Sequence, residues 1–211
     1  MKRFVFAFVL LAACALPASA SGLASLETFV KTVKSGRADF TQVVTAPARE
    51  GQATRSKTSS GSFEFSRPSR FKFVYRKPFE QTIVADGQTL WLYDVDLNQV
   101  TARKQSQVLA STPAALIASA PDLKALQLDF TLADAPSKDG LEWVLASPKA
   151  RDSQLQSIAV GLRGGELVVL EILDSFGQRS VLTFSSFEAN PLLPGKTFEF
   201  KAPAGADVIR Q

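Results

Sequence analysis

Residues 61–93, GSFEFSRPSRFKFVYRKPFEQTIVADGQTLWLY, constrain the fold more than any other part of the 211-residue chain. Phe63 and Phe65 share one parity in a first run, and Phe71, Phe73 and Tyr75 share one parity in a second. Leu90 to Tyr93 is apolar at both parities. Alternation at period two predicts strands with one covered face. The runs break at Arg67-Pro68-Ser69, Arg76-Lys77-Pro78 and Asp86-Gly87, residue types that end strands. Arg67 has the parity of Phe63 and Phe65, which places it on the aromatic face. An inward guanidinium must find acceptors, because burying it unpaired costs several kcal/mol or more. The competing position is a solvated one at the rim beside Pro68.

The N-terminus reads MKRFVFAFVLLAACALPASA. Lys2 and Arg3, an apolar core over residues 4–16 and the A-x-A triplet Ala18-Ser19-Ala20 make an export signal, with cleavage expected near Ala20. It is too short to span a membrane, and no later run approaches about 18 apolar residues. Leu11-Ala12-Ala13-Cys14 also resembles a lipobox, which would lipidate Cys14, but the apolar stretch before it is very short. Cleavage after Ala20 removes the only cysteine, and the chain has no histidine. Cys–His and Ser–His–Asp chemistry, ordinary zinc sites and disulfides are thereby excluded. Without Lys2 and Arg3 the chain carries 22 basic against 20 acidic residues, too even for a nucleic-acid surface. No phosphate-loop or dinucleotide glycine pattern occurs, and no cofactor is expected.

Leu23, Leu26, Phe29, Val30 and Val33 recur at helical spacing, predicting a first helix of about three turns. Residues 37–45 alternate as a strand, and the polar residues 46–60 predict a solvated loop or hairpin tip. Residues 94–98, DVDLN, predict a β-turn, since the glycine and distal glutamate of a calcium loop are missing. Residues 99–104 resume a strand. Ser111-Thr112-Pro113 starts a short helix that Pro121 stops, with Leu116 and Ile117 on one side and a further turn possible over 122–126. This segment suits a cover over the sheet or an ordinary connection equally well. Strands follow over 127–132, 141–146, 154–162, 166–173 and 179–187, with a short last one over 197–201. Arg163-Gly164-Gly165 is a strong hairpin signal. Ten or eleven antiparallel strands with two or three short helices predict one highly curved sheet in a single domain, residues 21–211.

The runs ADFTQ (38–42), GSFEFSRPSRFKFVY (61–75), VADGQTLWLYD (84–94), TPAALIA (112–118) and DSFGQRS (174–180) together resemble the LolA family, the periplasmic carriers that take lipoproteins from the inner to the outer membrane. The resemblance implies an unclosed antiparallel β-barrel covered by a helical lid. It also implies that Arg67, before the proline of the RP pair, bonds to lid backbone and holds the lid shut. Acylated lipoproteins would be the cargo, an ATP-driven LolCDE complex the loader and LolB the receptor, with a monomer as the working form. The acyl cavity would be lined by Phe63, Phe65, Phe71, Phe73, Leu90, Leu92, Leu116, Ile117, Leu170, Ile172 and Phe184. Ordinary core packing is the alternative for each, and an equal one for Leu170, Ile172 and Phe184, whose strands could face either way. Two alternatives stay open: a LolB-like receptor, which Cys14 would suit, and a periplasmic module for some other lipid. An enzyme would need a carboxylate pair, and the acidic residues fall in turns and on polar strand faces.

Overall fold

The computed structural model describes residues 21–47, 54–108, 120–151 and 153–211. Helix α1 (Gly22–Thr32) leads into β1 (Ser35–Thr45), β2 (Ser56–Ser66), β3 (Arg70–Lys77), β4 (Gln81–Ala85), β5 (Thr89–Asp94) and β6 (Gln99–Lys104). After α2 (Gln105–Val108) and α3 (Leu123–Asp129) come β7 (Phe130–Lys138), β8 (Leu141–Pro148), β9 (Leu155–Arg163), β10 (Glu166–Asp174) and β11 (Arg179–Ala189). A 3-10 turn (Gly195–Phe198) and β12 (Asp207–Arg210) close the chain. All twelve strands form one open sheet in the order β12-β6-β5-β4-β3-β2-β1-β11-β10-β9-β8-β7. Every pairing is antiparallel except that of β12 with β6.

The expected unclosed sheet with few helices is therefore present, with corrections in detail. Residues 81–85 form a strand that the aromatic runs alone did not single out. Residues 56–60 belong to β2, where Ser56 faces Thr45; they are polar because this end of the strand borders solvent, so no apolar period marks it. Residues 127–129 are helical, because Asp122 accepts a bond from the Ala125 amide at 2.8 Å and α3 runs on to Asp129. Residues 197–201 are not a strand. Residues 195–198 form a 3-10 turn, Phe198 lies under the Arg70 guanidinium and Phe200 stacks on Trp91, so the segment covers the outer face of the sheet and pairs with no edge. The last strand is instead β12, whose exposed residues carry no burial pattern to read.

One face of the sheet carries the core. Phe40 stands opposite Phe184, Ala38 opposite Phe63, Phe63 opposite Phe73 and Phe65 opposite Phe71, so pairing extends the alternation of each strand into aromatic rows. At β5 the second face is also covered. Trp91 stacks on Phe200 at 5.3 Å and Tyr93 meets the same ring at 6.3 Å, which explains a strand apolar at both parities. In the β9–β10 hairpin Gly164 and Gly165 both have positive φ (57° and 81°), the type I′ geometry that matches strand twist.

Two local features carry measurable consequences. Gly61 sits where the β2–β3 register shifts, and a Cβ built there would lie 1.9 Å from the Val74 carbonyl oxygen. Gly61→Ala must push two strands apart, at an expected cost of about 2–3 kcal/mol, read as a lower urea midpoint with unchanged slope. In the β4–β5 turn Asp86 accepts from the amides of Gln88 and Thr89 and from the Trp91 indole, each at 2.8 Å. Partial burial pushes its carboxyl up, but these bonds outweigh that and hold it below its ordinary value of 3.8. Asp86→Asn turns an NH2 toward the indole N–H and is expected to cost about 1–3 kcal/mol near neutral pH. A carboxylate held low in the folded state stabilises above its unfolded pKa and loses that contribution as pH falls through the folded one. The gap between wild type and Asp86→Asn should therefore shrink below pH 3.8 in urea titrations.

Candidate functional site: an aromatic concave face and a buried arginine

Helix α1 lies across one end of the apolar face and is pinned at both of its own ends. The Ser21 hydroxyl caps it by accepting from the Ala24 amide, and Asp134 of β7 accepts from the Leu23 amide at 2.8 Å. Ser25 donates to Glu142 of β8 at 2.9 Å. At the far end Asn190 donates to the Thr32 carbonyl and accepts from the Lys34 amide. Leu26, Phe29 and Val30 are driven into the sheet, with Phe29 against Phe65 and Phe187 at 6.3 and 6.0 Å.

Arg67 follows the end of β2 and is only 9% exposed, so the solvated rim position is not the one it takes. Its guanidinium lies 5.5 Å from the Phe29 ring centre and 5.3 Å from that of Phe65. Nε donates to the carbonyl of Val33, the C-cap of α1, at 2.9 Å, and Nη1 donates to the Ala120 carbonyl at 3.0 Å. The first acceptor is a helix-terminal carbonyl at the negative end of the α1 dipole, where a cation is favoured. Burial pulls the arginine pKa down to about 10, which leaves it charged at neutral pH. It has no carboxylate partner among the described residues, and its Nη2, also buried, has no hydrogen-bond partner there. One buried charge thus ties the pinned α1 to the residue just ahead of α3.

The sequence-derived lining residues fall on the concave face as far as they are described. Phe63, Phe65, Phe71, Phe73, Leu170 and Phe184 belong to the core, and Leu90 and Ile172 are half-buried against it. Leu92 is half-buried beside Ile83 on the same face. The register settles the later strands: Leu170 stands opposite Leu182 and Ile172 opposite Ile158. Leu116 and Ile117 lie outside the described residues. Phe63 is the hub, with ring centres of Phe73, Phe65 and Phe184 at 4.4, 5.6 and 5.7 Å. The rings fill this face by packing on one another. A groove of about 720 Å³ opens at the opposite end of the strands from Arg67, bordered by Gln42, Val44, Tyr75, Phe79 and the charged Arg55, Lys57, Asp94 and Asp96. None of the described residues proposed from the sequence borders it.

Sequence reading passed over several parts of this face. Phe29, Phe40 and Phe187 join the aromatic cluster, and Phe40 and Gln42 could have been found from their parity in ADFTQ. The acceptors of Arg67 are backbone carbonyls, for which no side-chain pattern exists. Of the basic residues near the strand ends, Arg76 pairs with Ser62 and Asp39 on the outer face, and Arg70 lies over the Phe198 ring. Among the described residues no group of three His, Cys, Asp or Glu side chains could hold a metal, and no helix is long and apolar enough to cross a membrane. The 94–98 segment forms the expected turn, with Asp94 accepting from the Leu97 amide.

The fold and site together are an open curved sheet, antiparallel but for β12, with an aromatic face on which the helices pack. The model of the outer membrane lipoprotein carrier protein LolA matches residues 31–201. The chain belongs to this family. It is 75% identical over 210 residues to the outer-membrane lipoprotein carrier protein of Albidiferax ferrireducens, covering 98% of this chain and 99% of that one. It is 52% identical to the protein of that name from Leptothrix cholodnii, covering 98% and 95%. A solved LolA superfamily protein from Nitrosomonas europaea superposes with a TM-score of 0.48 at 14% identity over 86% of this chain and 99% of that one. Between carrier and LolB-like receptor, the relatives favour the carrier.

Proposed function

We propose that the protein is a periplasmic chaperone that binds the acyl chains of lipoproteins leaving the inner membrane, carries them as a soluble monomer and delivers them to the outer membrane. The observation that carries this reading is the aromatic concave face, tied to the Ala120 side of its cover by the buried guanidinium of Arg67. An acyl chain of ordinary length costs on the order of 10 kcal/mol to expose to water, at about 0.8 kcal/mol per methylene, so aqueous transit needs a covered apolar surface. The concave rings supply that surface if they exchange contacts with one another for contacts with acyl chains. This requires the Ala120 side of the cover to part from the sheet, and the Arg67 bond to the Ala120 carbonyl opposes that step. Each hydrogen bond from a charged donor is worth about 1.5–3 kcal/mol, enough to bias a two-state cover without freezing it.

Energy for loading comes from outside the chain: an inner-membrane LolCDE complex driven by ATP is the proposed loader, and LolB the acceptor with the tighter apolar site. The residues 1–20 would be removed on export. A spheroplast release assay tests the reading. Lipoproteins held on the inner membrane are incubated with the purified protein, with and without ATP. Soluble one-to-one complexes formed only with ATP are the expected result. Binding of free lipid without lipoprotein release would replace the reading with a general lipid-binding module.

A further inference from the structure

At the open end of the concave face, opposite Arg67, lies one connected set of polar side chains. The Tyr75 hydroxyl donates to Gln42 Oε1 at 2.9 Å, and Gln42 Nε2 donates to Ser180 Oγ at 2.6 Å. The three come from β3, β1 and β11. Gly61 of β2 stands between Phe40 and Tyr75 in the ladder, and across its missing side chain those two rings meet edge to face at 5.0 Å. Below the set lies the aromatic floor, beginning with Phe40 and Phe73 at 5.4 Å. Above it the groove opens to the charged rim, and Gln42 and Tyr75 both border that groove. Ser180 is buried.

Apolar side chains would pack more simply here, since a buried polar group contributes net stability only when its bonds are complete. This set is not complete. Gln42 has a second amide proton and Ser180 its own hydroxyl proton, and neither has an acceptor among the described residues. Two donors therefore remain at the border between an apolar floor and a wet rim. Burial pushes the Tyr75 phenol up to about 12, which keeps it a neutral donor to Gln42.

Resting on the carrier reading, we propose that Gln42 and Ser180, oriented by Tyr75, form a polar collar that binds the ester carbonyls at the head of glycerol-linked acyl chains. A chain seated on the aromatic floor brings its first carbonyl to the level of the collar, and an ester carbonyl accepts hydrogen bonds without donating any. The collar thereby fixes how deep the chain sits, and it distinguishes an acyl ester from a bare alkyl chain.

The test is equilibrium binding of a dipalmitoylglyceryl-cysteinyl pentapeptide and of its dialkyl-ether analogue to the purified protein. The expected result is an ester preference of about tenfold, the worth of one to two neutral hydrogen bonds. In Gln42→Leu/Ser180→Ala the ratio should fall to within about twofold. Should that double variant fail to fold, Ser180→Ala alone removes one hydroxyl and should lower the ratio to about threefold. Equal affinity of the wild type for both lipopeptides, or an undiminished preference in the variants, overturns the collar and leaves the carrier reading standing. Binding of neither lipopeptide overturns both. Dipalmitoylphosphatidylglycerol and its diether separate the two sources of such esters. A preference confined to the lipopeptide supports a site for lipoprotein heads, and an equal preference supports the same ester chemistry open to bilayer lipids.

Discussion

Arg67→Leu is expected to leave the protein folded and able to take up lipoprotein, while slowing hand-over by more than about tenfold, the factor that one lost charged hydrogen bond represents. Fold and function separate here for a physical reason. The wild-type guanidinium is buried without a carboxylate, so its desolvation cost roughly cancels the two carbonyl bonds it makes. Replacing a buried charge by an apolar side chain of similar volume is often neutral, and a stability change within about 1 kcal/mol is expected. The cover, however, loses its tie at Ala120. The closed form then competes less well with bound acyl chains, which shifts the equilibrium toward the loaded form and raises the barrier to release. Arg67→Lys keeps the charge but cannot reach two carbonyls from a planar fork, and should release at an intermediate rate. A reconstituted transfer from loaded protein to the receptor reads all three variants. Normal transfer by Arg67→Leu would remove the role proposed for this residue.

The largest loss of stability is expected from Phe63→Ala, at about 3–5 kcal/mol. Phe63 has no exposed surface and stacks on Phe73 with ring centres 4.4 Å apart, within reach of Phe65 and Phe184. Truncation removes a ring from the middle of three adjacent strands, and the strand pairing on both sides prevents the sheet from collapsing into the gap. Phe176→Ala is the matched control. Its ring is 78% exposed in the β10–β11 turn and should matter by no more than about 0.5 kcal/mol. Urea titration of both variants provides the comparison. A loss below about 1 kcal/mol at Phe63 would show that the neighbouring rings re-pack freely, and the face would then behave as a loose reservoir.

The exposed apolar tips Phe79, Leu97 and Phe176 are 57%, 71% and 78% exposed, and all sit in turns. Single exposed apolar residues are normal on protein surfaces and need no partner to explain them. The outer ion pairs Arg37–Glu64 and Arg179–Glu171, at 2.9 and 2.8 Å, are solvent-facing and contribute at most about 1 kcal/mol each. Energetic weight therefore rests on the concave side.

Much of this protein is legible in its residues because β-structure with one covered face writes itself as alternation. Phe63, Phe65, Phe71 and Phe73 declare both their strands and their common face, and Arg67 declares an inward charge by the same parity. Gly164-Gly165 declares a hairpin, because only residues that accept positive φ suit that turn. What the residues could not declare depends on partners distant in the chain. The concave position of Leu170 and Phe184 follows from the β1–β11 and β10–β11 register, and a one-residue slip would turn both outward. The 197–201 segment reads as a strand by its own alternation, yet packs flat on Trp91 because the sheet offers it a face and no edge. Strand β12 has no pattern, since its place comes from backbone bonds to β6. The acceptors of Arg67 are the carbonyls of Val33 and Ala120, 34 and 53 residues away, and backbone atoms are identical in every residue. Side-chain chemistry is local and was open to reading; which backbone oxygen a buried arginine meets was decided only when the chain had folded.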